Sequence, residues 1–170
     1  MKMLLRRLGS RSNLAILFAL FLLFIVLLNY YMPRSLALDV KFAYTADEAY
    51  TTLKSMGPAL RAEYLYIIWV LDSTYMVIYL LLFSSLIVKF LNNKLIAILP
   101  LLIFIFDLLE NIMVTSLLLK YPTESHILGF VASFFTTTKW LIVAVFWITF
   151  LGSLLHHYLL KNQPNLDLKR

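Results

Sequence analysis

Four long stretches of the chain show no polar face: Leu14 to Tyr31, Tyr64 to Phe90, Leu95 to Leu119 and Ile127 to His156 are apolar almost all the way round. A helix of that character is covered on every side, by lipid or by protein. Each stretch approaches or exceeds the roughly 20 residues that cross a hydrocarbon core. Their Leu, Ile and Phe residues run continuously rather than alternating, which predicts helices and not a barrel. The expected fold is all-α, a four-helix transmembrane bundle. No internal repeat, low-complexity tract or Pro/Gly-rich linker divides it, so residues 1–170 read as a single membrane domain.

The longest polar interval, residues 32–63, separates the first two spans and carries its own helix signals. In YTADEAYTTLKSMGPALR, Thr45 followed three residues later by Glu48 forms a capping box, and Gly57-Pro58 supplies a stop. A short extramembrane helix of about ten residues is predicted. Its Ala49, Leu53 and Met56 share a face, so it either lies flat on the mouth of the bundle or links two spans as a solvated surface helix.

Composition agrees with the pattern: 62% of residues are hydrophobic, 14% are charged and the mean hydropathy is +0.85. The net charge of +6 would suit nucleic acid in a soluble chain, but here the basic residues have a different use. Lys2, Arg6, Arg7 and Arg11, then Lys89 and Lys94, then Lys161, Lys169 and Arg170 all fall on one side of the bundle. The positive-inside rule makes that side cytoplasmic, with both termini there, as in a bacterial inner membrane or its equivalent. On the other side Arg34, Lys41, Lys54, Arg61 and Lys120 are balanced by Asp39, Asp47, Glu48, Glu63 and Glu124. Tyr30, Tyr31, Tyr64, Tyr66 and Tyr121 mark the outer interface. Ser35-Leu36-Ala37 also offers the small residues that a signal peptidase reads, but the long basic leader favours an uncleaved anchor.

Against this background the polar residues inside the spans stand out. Asp72, Asp107, Glu110, Asn111 and Lys139 lie at membrane depth, where a charged side chain costs about 2.5 to 3.5 kcal/mol even on lenient scales. Helical spacing puts Asp107, Glu110, Asn111 and Val114 on one stripe, Asp72 with Tyr75 and Tyr79 on another, and Lys139 with Thr136 and Ala132 on a third. At a helical rise of about 1.5 Å per residue, Asp72 lies roughly 12 Å in, Glu110 and Asn111 roughly 12 to 14 Å, and Asp107 and Lys139 roughly 18 Å. Matching levels predict one cluster supplied by three helices. Three carboxyls against one ammonium leave two charges for protons or a cation to offset. The simplest pairing joins Asp107 to Lys139 and leaves Asp72 and Glu110 to share hydrogen bonds with Asn111 or Tyr75. The bland alternative is a satisfied polar core that only sets helix register, since interhelical hydrogen bonds contribute about 0.6 kcal/mol on average.

Other chemistry finds little support. His126 and the His156-His157 pair stand apart from the acids, so no metal site of familiar spacing forms. Gly9, Gly57, Gly129 and Gly152 are scattered and cradle no phosphate; Trp69, Trp140 and Trp147 read as packing rather than a cofactor box, although a lipid-sized apolar pocket would use the same residues. No cofactor and no nucleic-acid partner is expected. The chain contains no cysteine, which excludes thiolate chemistry.

The segments YTADEAYTTLKSMGPALRAEY, VLDSTYMVIY and FDLLEN, over about Ala43 to Val114, resemble a group of small four-span, bacterial-type membrane proteins with an intramembrane D-x-x-E-N motif. The resemblance implies membership and no particular activity. Relatives in that group are expected to carry Gly before the arginine and Phe-Pro after the aspartate. Here Leu60 precedes Arg61 and Ser73-Thr74 follow Asp72, which predicts a straighter second span. The layout is also loosely similar to the emopamil-binding protein and sigma-2 receptor group, with no residue carried over.

Three functions follow from the cluster. The first is a non-catalytic protein that binds a lipid, a small amphiphile or a partner membrane helix between spans two, three and four, with Asp72, Glu110 and Asn111 at the polar head and Arg61 at the mouth. The second is an intramembrane lipid-modifying enzyme using the acids as general acid and base. The third is a proton or cation site of a small transporter.

Overall fold

The computed structural model describes residues 9–32, 35–91 and 96–161, with the backbone alone for 157–161. The basic residues Lys2, Arg6, Arg7, Arg34, Lys94, Lys169 and Arg170 lie outside the described residues, as does the side chain of Lys161. The fold is all-α. Helix α1 spans Arg11–Tyr31. Helix α2 spans Ala46–Tyr66 and passes through a π-helical turn, Ile67–Asp72, into α3, Ser73–Phe90. A 3₁₀ turn, Ile96–Ile98, leads into α4, Leu99–Lys120, and α5 covers His126–Lys161. Among the described residues four helical stretches are long and apolar enough to cross a membrane: Arg11–Tyr31, Ala46–Phe90, Ile96–Lys120 and His126–His156. Phe130, Leu141, Ile148 and Leu155 of α5 and Ile16, Phe18 and Val26 of α1 are exposed, as lipid-facing side chains would be.

Helix boundaries follow local chemistry. Ser10 caps α1 by accepting from the Asn13 amide at 3.3 Å. Thr45 and Glu48 exchange both bonds of the capping box, at 3.2 and 2.7 Å. At Gly57 the backbone turns left-handed, φ 69°, so α2 is two helices joined at a kink, and Pro58 opens the second. The first of these, 46–56, lies on the bundle mouth: Ala49 and Leu53 are fully buried and Met56 nearly so. Arg61 fastens the kink, donating from Nη1 to the Leu53 carbonyl at 2.8 Å while stacking on the Tyr121 ring.

The second span is not straight. A π-turn occupies Ile67–Asp72, and a π-turn widens the helix and frees carbonyls that need other donors. Ser73 supplies both its amide and its hydroxyl to the Ile68 carbonyl, and the Thr74 hydroxyl bonds the Val70 carbonyl at 2.7 Å. Without Pro after Asp72, the distortion is stabilised by hydroxyls instead.

Two apolar clusters hold the bundle together. One lies at the end of the bundle that carries residues 35–57, named the outer end by that segment alone, and gathers Leu38, Leu53, Tyr64, Val114, Leu117 and Ala132; the other, at the opposite, inner end, gathers Met76, Phe83, Ile87, Ile103, Phe146 and Phe150. Phe146 stacks on Phe83 with ring centroids 4.7 Å apart. Between them, the carboxyls, amide and ammonium of the intramembrane residues form a polar layer. Helices α4 and α5 pack along each other most extensively, whereas α1 packs along α3 and the π-turn with no comparable packing against α4 or α5.

Candidate functional site

The polar layer is built by three helices, each presenting residues three or four apart. From α4, Asp107, Glu110 and Asn111 are buried; from the π-turn, Asp72; from α5, Thr136 and Lys139. The Lys139 ammonium lies 3.0 Å from Asp107 Oδ1 and 2.5 Å from Glu110 Oε2. Thr136 donates to Glu110 Oε1 at 2.7 Å. Tyr79 donates to Asp107 Oδ2 at 2.8 Å, and the Asn111 amide donates to Asp72 Oδ2 at 2.6 Å. Every one of these contacts crosses between helices.

Asp72 and Glu110 do not share a partner. Glu110 and Asn111 are adjacent on α4, about 100° apart round the helix, so they face different neighbours. Glu110 turns to α5 and its Lys139 and Thr136, while Asn111 turns to Asp72. Tyr75 makes no hydrogen bond to this group; its ring stacks on Phe21 of α1, centroids 5.3 Å apart, and meets Tyr79 edge-on. Arg61 stands apart, occupied at the kink.

A cavity of about 560 Å³ opens beside the cluster. Asp72, Tyr75, Tyr79, Asp107, Asn111 and Lys139 contribute to its wall, and Glu110 and Thr136 lie behind it. Apolar residues supply the rest: Phe21, Ile25 and Leu28 from α1, Phe83 from α3, and Val143 and Trp147 from α5. A mostly apolar concavity of this size with a few convergent polar groups is the usual form of a small-molecule site.

The outer end of the cavity is covered by residues 35–45, which the sequence did not mark as part of a site. One face of α5 holds them. Ser133 Oγ accepts from the Tyr44 amide at 3.0 Å, Thr137 donates to the Phe42 carbonyl at 3.0 Å, and Trp140 Nε1 donates to the Asp39 carbonyl at 3.1 Å. Lys139 reaches the same carbonyl at 3.2 Å. From the second span Tyr64 accepts from the Leu38 amide at 3.0 Å and donates to Asp39 Oδ1 at 3.1 Å. Burial holds the Tyr44 phenol above its ordinary range. It therefore stays a neutral hydroxyl, 3.3 Å from Thr136 Oγ1. The polar spacing of Ser133, Thr136, Thr137 and Trp140 was the available sequence signal; the backbone amide and carbonyls that Ser133, Thr137 and Trp140 meet leave none.

Among the described residues no group of acids and histidines is placed to hold a metal ion. No family model, curated protein or solved structure matches the chain.

Proposed function

We propose that this integral membrane protein binds a small amphiphile in the cavity between α1, α3, α4 and α5, with the polar head at Asp72, Asp107 and Asn111. The observation that carries the reading is the coincidence of cavity and cluster: carboxyls that a register-setting core would bury completely line an open space of about 560 Å³. Hydrogen-bonded glue between helices needs no such space.

The test is extraction. Protein purified in mild detergent should carry an amphiphile enriched over bulk lipid, and Asp72→Asn should lose it. The variant should still fold, because an amide oxygen can accept from Asn111 and the exchange forfeits only about 1 to 2 kcal/mol. Adding the amphiphile back at roughly a hundred times its Kd should stabilise wild type by about 2.7 kcal/mol and the variant far less. Identical extracts from both proteins would return the cluster to a purely structural role. Product appearing in the extract would favour the enzyme reading.

The balance of charge supports cytoplasmic termini and an outward-facing 35–57 segment in a bacterial-type inner membrane. The cysteine-free sequence allows a direct measurement. Thr51→Cys, on the exposed face of the outer helix, should react with an impermeant maleimide in intact cells. Ser12→Cys, exposed at the start of α1, should react only after permeabilisation. The reverse pattern would invert the topology.

A further inference from the structure

The cavity runs along the helices, and its character changes along that axis. On the second span its lining face runs from Tyr64 through Asp72 and Tyr79 to Phe83, about 28 Å of helix at 1.5 Å per residue. The inner end is apolar, with Phe83, Ile103, Val143 and Trp147; the charged groups, Asp39, Lys41, Asp72, Asp107 and Lys139, all lie outward of it, among apolar neighbours such as Met32 and Ile67. An occupant with its head outward and its tail inward matches this gradient.

The two ends and the side are closed to different degrees. The outer end is covered by residues held to α5 and Tyr64 through six hydrogen bonds. The inner end is filled by the stacked rings of Phe83, Phe146 and Phe150. The side is different: α1 and α5 both line the cavity yet do not pack along each other as α1 does on α3. Trp147, at the cavity wall on α5, is also exposed, so the seam is open toward a surface that a bilayer would cover.

The head chemistry can be read from which polar groups are already used. The Lys139 ammonium donates to Asp107 and the Asp39 carbonyl and is ion-paired with Glu110. The Asn111 amide and the Tyr79 hydroxyl donate to Asp72 and Asp107. Asp72 keeps one carboxyl oxygen without a protein partner among the described residues, at the cavity wall. Two donors stay available, the Tyr75 hydroxyl and, at the outer rim, the Lys41 ammonium, which bonds Thr52 alone. At the depth of Asp72 and Asp107 the one cation, Lys139, is already paired with two carboxylates, so the wall there offers acceptors and acidic charge.

We infer that the occupant is a single-chain amphiphile with a hydrogen-bond-donating, non-anionic head, and that it enters sideways from the bilayer through the seam between α1 and α5. This rests on the amphiphile-binding reading above and adds head selectivity and route. The test uses the full chain in phosphatidylcholine vesicles with three photoactivatable probes of equal length: a long-chain alcohol, a long-chain amine and a fatty acid. The alcohol or the amine should label cavity residues such as Ile25 or Val143 saturably, and which of the two does so gives the charge of the head. The fatty acid should label at least roughly tenfold less.

Route is tested on Ile25→Cys/Val143→Cys, comparing the same protein before and after bridging with a flexible bis-maleimide. Bridging before the probe is added should slow labelling about tenfold or more. Bridging after loading should trap the probe against washing, which a linker that merely fills the cavity would not do. Equal labelling by the fatty acid overturns the head assignment. Unchanged loading and release in the bridged protein overturns the lateral route while amphiphile binding stands. Absence of saturable labelling by every probe overturns both this inference and the reading beneath it.

Discussion

Replacing Lys139 with Met is expected to destabilise the protein by about 3 to 5 kcal/mol, the cost of breaking a buried ion pair from one side. The reason is geometric. Asp107 and Glu110 lie 3.0 and 2.5 Å from the same ammonium, so removing it leaves two buried carboxyls without the cation they share. Thr136 and Tyr79 still donate one hydrogen bond to each, which offsets a small part. Adding Glu110→Gln to Lys139→Met should recover much of the loss, and a triple variant with Asp107→Asn as well should approach wild type, because neutral groups of the same shape remove the charge that needed compensation. Unfolding in detergent measures all three. A Lys139→Met protein as stable as wild type would mean that the acids have found other partners, and the ion-pair geometry would be wrong. The stable triple variant also separates glue from site. If it folds but no longer retains an amphiphile, the charges serve binding as well as packing.

How far the sequence disclosed this arrangement depends on what kind of contact is asked about. Spans were legible because a 20-residue apolar run has few other fates. The outer helix was legible because Thr45, Glu48, Gly57 and Pro58 are local signals whose partners lie within a few residues. The members of the cluster could be named because an acid at membrane depth is expensive wherever it points. Their pairing was only partly legible. Depth along a helix comes from counting residues, and Asp72 with Asn111, or Asp107 with Lys139, sit at similar counted levels. Rotation about the helix is harder to count, and it decides that Glu110 turns to α5 rather than to Asp72. A π-turn shifts that rotation by part of a turn, and the one at Ile67–Asp72 came where a straighter helix was expected. Least visible was the cover of residues 35–45, whose contacts are backbone carbonyls and amides that any sequence possesses.

That cover connects the outer helix to the cavity, and the connection passes through one glycine. A Cβ added at Gly129 would lie 2.6 Å from Ala46 Cβ and 2.8 Å from Ala46 Cα, distances at which backbone or helix has to move. Gly129→Ala is therefore expected to cost about 1 to 3 kcal/mol by overpacking, although alanine in a helix interior is otherwise worth about 1 kcal/mol over glycine. Gly152 provides the control: a Cβ there meets nothing within 4 Å, so Gly152→Ala should gain from helix propensity alone. Adding Ala46→Gly to Gly129→Ala should restore part of the loss and no more, since the contact with the Ala46 Cα remains. The displacement should propagate. Ala46 opens the outer helix, and residues 42 and 44 just before it are held by Thr137 and Ser133, two turns and one turn along α5 from Gly129. Tyr50 on the same helix accepts from the Ser125 amide at 2.7 Å. Pushing Ala46 away strains all three contacts, so limited trypsin digestion at Lys54 should accelerate in Gly129→Ala and not in Gly152→Ala. Equal digestion of the two variants, with equal stability, would show that the outer helix does not rest on α5 at Gly129, and the covered outer end of the cavity would lose its anchor.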